Sequence, residues 1–377
     1  ASYEIGPLAT QGFGIGSNGF PGLAANSQGR VSRNNIALYV DAEAYITENF
    51  MLAGALRYED FSDFGDTTKG KIAFRWQALE NIAFRGAFST GFKAPTLGQS
   101  NVRNVTTAFG TGGQLIDRAT LPPTDPVSQL KGGEQLTPEE SESITFGVVA
   151  DFDNGLFITA DYYNIELTDR ISTASGIALT DEDIATLLAQ GISDASSFSE
   201  ISFFTNDFDT TTEGLDVVAN YAMDMMGGET KFSLAYNWTS TEVDRASDNI
   251  SDFRIRMLED NLPAVRYSAT ANHTNGDWRF LARMNYFGSI FEDHLDSALP
   301  IDKVSSEITF DFEVAYNVSE QLTVTLGARN AFDEYPDENN TDAGGITYAQ
   351  IAGSQYPTTS PIGINGGFYY LRGVYSF

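Results

Sequence analysis

A chain of 377 residues with 12% aromatic content and no cysteine has neither a disulfide framework nor a thiolate metal site open to it. Its 51 acidic residues stand against 22 basic ones, a formal charge of −29, which excludes nucleic acid as a partner because phosphate binding needs a basic footprint. No apolar run long enough for a helical membrane span occurs, and the opening "ASYEIGPLAT" shows neither the basic nor the apolar part of a signal peptide.

Period-two alternation dominates from residue 31 onward. Thirteen segments are predicted as strands: 31–46, 49–61, 69–78, 80–91, 140–152, 155–169, 204–222, 229–242, 262–274, 277–289, 305–318, 321–332 and 366–377. In "KFSLAYNW" (231–238), Phe232, Leu234, Tyr236 and Trp238 oppose Lys231, Ser233, Ala235 and Asn237. In 307–317, Ile308, Phe310, Phe312, Val314 and Tyr316 oppose Thr309, Asp311, Glu313 and Asn317. In 321–332, Leu322, Val324, Leu326 and Ala328 oppose Thr323, Thr325, Gly327 and Arg329. Each such strand has one apolar and one wet face.

The connections alternate in length. "TEN" (47–49), "LEN" (79–81), "DNG" (153–155), "MMGG" (225–228), "TNGD" (274–277) and "SEQ" (319–321) are short. Residues 92–139, 170–203, 243–261, 290–304 and 333–365 are long, and 62–68 is a modest exception. A soluble β-sandwich has strands of about 5–6 residues and no reason to place short turns at one end only. Transmembrane barrels have strands of about 9–11 residues, short periplasmic turns and long extracellular loops. The expected fold is therefore all-β, a transmembrane antiparallel barrel. Tyr58, Trp76, Phe88, Trp238, Trp278 and Tyr286 lie near strand ends, where interfacial girdles form. The predicted inward face carries Asp41, Glu43, Arg75, Arg85, Arg279, Arg283, Asn285, Asp311, Glu313 and Arg329. Unpartnered buried charge is costly, so a wide, water-filled or plugged interior is expected.

Several stretches resemble TonB-dependent outer-membrane receptors. "IAFRGAFSTGFKAPTLGQ" (82–99) is similar to a family strand-to-loop motif at Arg85, Ser89, Gly91, Phe92, Ala94, Pro95 and Leu97. "LTPEESESITFGVVADFDNGLFITADYYNIELTDRI" (136–171), "FFTNDFDTTTEGLDVVANY" (203–221) and "LTVTLGARNAFDEYP" (322–336) resemble further family stretches in the same order. By its residues, Pro95 ends a strand, Gly214 permits a bulge or close packing, and Arg329 and Asp333 are candidates to pair near the outer rim. The resemblance implies an N-terminal plug inside a barrel of ~22 strands. It places residues 31–377 as about 13 C-terminal strands and residues 1–30 as an extracellular loop remnant. The plug, the first strands and the TonB-contacting segment are expected outside this sequence, as in a processed or split receptor.

The same resemblance implies TonB-dependent active uptake of a scarce, bulky ligand, with a ferric siderophore as the default cargo. Uptake of oligosaccharide by the same mechanism, a passive porin and a structural surface barrel are the alternatives. Expected partners are outer-membrane lipid, the TonB complex, the barrel-insertion machinery, the extracellular ligand and the N-terminal part of the receptor. Arg57, Arg283 and Asn285 are the candidate ligand contacts, being polar, inward and in the upper halves of their strands. Tyr348 and Tyr356 are loop aromatics suited either to stacking on sugar rings or to loop packing. Tyr369, Leu371, Tyr375 and Phe377 share the lipid-facing parity of the last strand, which resembles the signal read by the insertion machinery.

Covalent chemistry finds no support. The two histidines, His273 and His294, fall at opposite ends of the predicted barrel, so no paired-His site and no Ser-His-carboxylate triad is expected. No catalytic residue, metal ligand or cofactor is assigned. Residues 179–192 are predicted as a short helix capped by Thr180 with Asp183 three residues on and stopped by Gly191, either part of a lid or a loop-packing element. The acidic run "DEYPDENNTD" (333–342) has hard oxygens suited to calcium, with a solvated loop as the favoured reading.

Overall fold

The computed structural model describes residues 2–5, 29–109, 115–174, 176–193, 198–247, 250–292, 304–338, 342–343, 346–347, 355–357 and 359–377. Its main element is a single 13-stranded antiparallel sheet in which every strand pairs with its sequence neighbours. In chain order these are β1 (Asn35–Thr47), β2 (Phe50–Phe61), β3 (Gly65–Leu79), β4 (Ile82–Lys93), β5 (Glu139–Asp151), β6 (Leu156–Thr173) and β7 (Phe204–Met225). Then follow β8 (Gly228–Ala246), β9 (Val265–Asn275), β10 (Trp278–Phe287), β11 (Glu307–Asn317), β12 (Leu322–Arg329) and β13 (Phe368–Tyr375). All thirteen predicted segments are strands. Among the described residues, β1 and β13 are each paired along one side only.

Two expectations need correction. Residues 62–68 are not a loop: β3 begins at Gly65, and the connection is a turn over 62–64. Gly65 sits at φ +95°, a conformation L side chains avoid, so the chain reverses within three residues. The last strand ends at Tyr375, and Phe377 lies beyond it with its ring edge-on to Tyr375 at 5.2 Å.

The ladder confirms the assignment of faces. Arg283 lies opposite Asp311 and Asn285 opposite Thr309, while Met284 faces Phe310 and Tyr286 faces Ile308. The apolar outward band has a legible upper edge. On β6, β7 and β8 it ends at Tyr162, Leu215 and Trp238, which are cross-strand neighbours. One step above, the same face carries Asn164, Glu213 and Ser240. From Leu215 down to the turn at Met226 is about the 9–11 residues a tilted membrane strand needs. The rest of β7, up to Phe204, rises above the band.

Among the described residues, a cluster of fully buried apolar side chains lies in the long connections. Asn104–Phe109, Leu115–Thr120, Glu200–Ser202 and Ile177–Ala178 form a small four-stranded sheet. It joins the β4–β5 connection to the β6–β7 connection by a parallel pairing of Glu200–Ser202 with Arg118–Thr120. Two helices, α1 (Pro126–Leu130) and α2 (Asp181–Ala189), pack on it. Leu121, Leu187, Ile201 and Phe203 are wholly buried there. The predicted helix is thus a packed part of this outer module. Thr180 accepts from the Asp183 amide, Asp183 answers to the Thr180 amide, and Gly191 follows at φ +83°.

Candidate functional site

The inward wall is held by side chains that reach across strands. Arg85 on β4 makes two hydrogen bonds to Asp161 on β6, at 2.8 and 2.6 Å, passing over Gly147 of β5. A Cβ on Gly147 would lie 2.0 Å from Asp161 Oδ1, so only glycine leaves room for the bridge. A second set sits on β10–β13. Arg279 donates to Glu313 at 2.8 Å, Arg372 lies 3.8 Å from the same carboxylate, and the Tyr370 hydroxyl donates to it across Gly327. Gly214 likewise lies under the Tyr163 ring, in close packing without a bulge at that position.

The predicted ligand contacts separate into two places. Arg283 and Asn285 share one face of β10. Arg283 Nε donates to Thr270 at 3.1 Å, and Asn285 donates to Thr309 and Asp311, both at 3.2 Å. Arg57 stands eight strands away on β2, where it pairs with Glu59, itself buried and held by Asn35. The fold therefore brings Arg283 and Asn285 together and leaves Arg57 with its own partners.

Above the apolar band the strand ends form a second polar cluster, and alternation alone did not reveal it. The strand predicted to stop at 169 runs on to Thr173; Asp169 adopts φ +52° within a register shift of β6, and Arg170 falls opposite Phe208. Its guanidinium stacks over the buried Phe208 at 4.9 Å and donates to Thr210 at 3.0 Å. Next to it, Glu139 accepts from Lys93 at 3.1 Å and from the Ile171 amide at 3.0 Å. On the other face Arg245 binds Asp209 at 2.7 Å and Asp169 at 3.2 Å, and its guanidinium holds the Asp209 carboxyl below the usual range. In the outer module Lys131 on one connection pairs with Asp183 on the other at 2.5 Å. That contact, with the Thr180 hydroxyl and amide, lowers the Asp183 pKa to about 2.

The predicted Arg329–Asp333 pair does not form. Asp333 sits at φ +62° and its carboxylate accepts the Gly367 amide at 2.7 Å. His273 hydrogen-bonds Thr230 at 2.8 Å near a short turn. His294, Tyr348 and residues 339–341 of the acidic run lie outside the described residues. Tyr356 stacks on Tyr335 at 5.6 Å. Among the described residues no group of three or more His, Asp or Glu is placed to hold a metal ion.

Residues 3–331 match the family described as "TonB dependent receptor-like, beta-barrel". The chain belongs to this family. Among known receptors, the ferric enterobactin receptor PirA of Pseudomonas aeruginosa is 31% identical over 140 residues, 37% of this chain and 18% of that protein. A ferric enterobactin receptor (PfeA) mutant from the same organism superposes with a TM-score of 0.64 at 18% identity, covering 100% of this chain and 49% of that one. The siderophore receptor PirA from Acinetobacter baumannii gives 0.61 at 14% identity, with coverages of 92% and 46%. This receptor chain thus spans about half the length of the solved structures it matches. At these identities the superpositions show the fold.

Within this fold the long connections and the polar cluster at Arg170 lie at the same end of the strands, above the inward wall. The apolar belt with Trp238, Trp278 and Tyr286 faces away from it. The last strand continues the belt: Tyr369, Leu371 and Tyr375 face the same way as Leu326 and Val314.

Proposed function

We propose that this chain forms part of the wall and outer rim of a bacterial outer-membrane receptor that imports a ferric siderophore by TonB-dependent transport. The observation that carries the reading is the segregation in the sheet. One face is apolar between aromatic girdles, the other is charged and cross-linked, and all the long connections lie at one end. Such a wall can enclose a polar path through lipid and present a capture surface at its mouth. The relatives are named as receptors for ferric enterobactin or a siderophore, and the broader class, a ferric siderophore, is what supports the cargo assigned here.

In this reading the long connections and the Lys93–Glu139–Arg170 cluster meet the ligand first. Arg283 and Asn285 contact it deeper in the barrel, and Arg57 does so from the facing wall. Residues 1–30 contribute to an extracellular connection, residues 31–377 supply the C-terminal strands, and the plug and TonB contact come from elsewhere in the receptor. Tyr369, Leu371 and Tyr375 of the last strand, with Phe377 just beyond it, form the signal read by the barrel-insertion machinery. The protein binds and transports without breaking a covalent bond in its cargo. Import of an oligosaccharide is the second reading, favoured by the stacked Tyr335–Tyr356 pair among the outer connections.

Radio-iron uptake from a ferric siderophore tests the proposal, in cells with and without TonB and with this receptor as the only route. The expected result is uptake that vanishes without TonB. Uptake that is unchanged by TonB deletion contradicts it and favours a passive pore.

A further inference from the structure

The charge of −29 is not spread evenly over the molecule. On the inward wall cations hold their own. Arg85 meets Asp161, and Glu313 is shared by Arg279 and Arg372. Among the described residues, Lys71, Arg75, Arg266, Arg283 and Arg329 have no carboxylate within ion-pair distance, and Arg75, Arg266 and Arg283 instead donate to Gln77, Asn237 and Thr270.

The outer connections show the reverse. Arg103 is held by Asp125 at 2.7 Å, Arg118 by Glu200 at 2.8 Å, Lys131 by Asp183 at 2.5 Å and Arg256 by Asp260 at 3.5 Å. Arg254 is the exception among the described cations there. Glu134, Asp181, Glu182, Asp252 and Glu334 are exposed and form no ion pair among the described residues. Of the described cations at the mouth only Arg254 and Arg170 lack a carboxylate partner, Arg170 being held by Thr210 and Phe208 instead, and the other unpaired charges described there are negative.

Resting on the siderophore reading above, we infer that the cargo is an uncharged or cationic ferric chelate, and that polyanionic chelates are repelled at the outer connections. The committed cations matter as much as the surplus carboxylates. A polyanion needs cations whose charge is not already neutralised, and binding one here would mean breaking existing ion pairs. Fields of one sign at a mouth change association rates by about 10–1,000-fold, and like charges brought together at an interface oppose binding. Such repulsion between exposed groups is screened by salt over about 8 Å at physiological ionic strength. Deeper in the barrel the unmatched cations of the wall do not help a polyanion that is slow to reach them.

The test compares initial rates of radio-iron uptake from a neutral ferric trihydroxamate and from a trianionic ferric tris(catecholate). It uses cells in which this receptor is the only route for either, at low and raised ionic strength. The neutral chelate is expected to enter at least about tenfold faster, and added salt is expected to raise the trianion's rate. Combining Glu134→Lys with Glu334→Lys should raise the trianion's rate several-fold while leaving the neutral chelate within about twofold. Asp181→Lys with Glu182→Lys is the second variant, should the first fail to reach the membrane. A trianion rate equal to or above that of the neutral chelate overturns the inference, as does a variant pair that leaves it unchanged. Transport of neither chelate overturns the siderophore reading itself, and the inference with it.

Discussion

The strand wall and the outer module are built from the same residue types for opposite solvents. In the wall, Leu371, Leu326, Ile144 and Phe146 are more than half exposed or close to it. In the module, Leu121, Leu187, Ile201 and Phe203 are wholly buried. A wall strand keeps its backbone hydrogen bonds through the ladder and lets lipid cover its apolar face. A module standing in water must bury apolar surface against itself. Exposure of large apolar side chains is therefore a defect in one region and a requirement in the other. The acidic outer surface follows the same division, since charge belongs where water is.

The largest expected effect that sharpens this contrast comes from the module's core. Phe203→Ala should destabilise the module by about 3–5 kcal/mol. Hydrogen exchange should then speed up in Leu115–Thr120 and Glu200–Ser202 while β9–β12 stay protected. Loss of protection in both regions would show that they do not fold as separate units. On the wall, Leu234→Arg on the outward face of β8 should cost about 2–4 kcal/mol in a bilayer. Its inward neighbour, Ala235→Arg, should change stability by less than about 1 kcal/mol. Urea unfolding in vesicles measures both, and equal costs would break the assignment of faces.

A smaller change is expected from Thr180→Ala, which removes the cap of α2 at a cost of about 1 kcal/mol. Limited proteolysis within the β6–β7 connection should detect it. The smallest effect is one of pH. Asp183 titrates at about 2 in the folded module, below the ordinary value of about 3.9. A depressed carboxyl contributes stability that is present above about pH 4 and is lost as the pH falls toward 2. Acid should thus loosen the module across that window. Lys131→Met should flatten the pH dependence there, which the same proteolysis reports.

The wall was almost entirely legible in the sequence because its information is local. Strict alternation in 231–238 or 307–317 states both the strand and the direction of each side chain. What escaped was non-local or conformational. Residues Arg118–Thr120 and Glu200–Ser202 lie some eighty positions apart, and nothing in either stretch announces a parallel pairing. Arg170 escaped because the predicted strand stops at 169, whereas β6 runs on to Thr173 past the positive-φ residue Asp169. The Arg329–Asp333 expectation failed because Asp333 turns its carboxylate toward the Gly367 amide. Of the candidate contacts, Arg57 shares its face of the sheet with Arg75 and Arg85, and Arg283 and Asn285 share theirs with Asp311 and Glu313. Periodicity could not show that Arg57 already had Glu59 as a partner.

The division between a wall in lipid and a module in water is most directly tested by quenching of tryptophan fluorescence with brominated lipids. Trp76, Trp238 and Trp278 are the only tryptophans, and all three face outward near the edges of the apolar band. In vesicles, bromines placed near the headgroups should quench them strongly, bromines at the chain ends should quench them weakly, and bromide in the water should hardly reach them. Ready quenching by aqueous bromide, with no effect of the brominated lipids, would contradict the account.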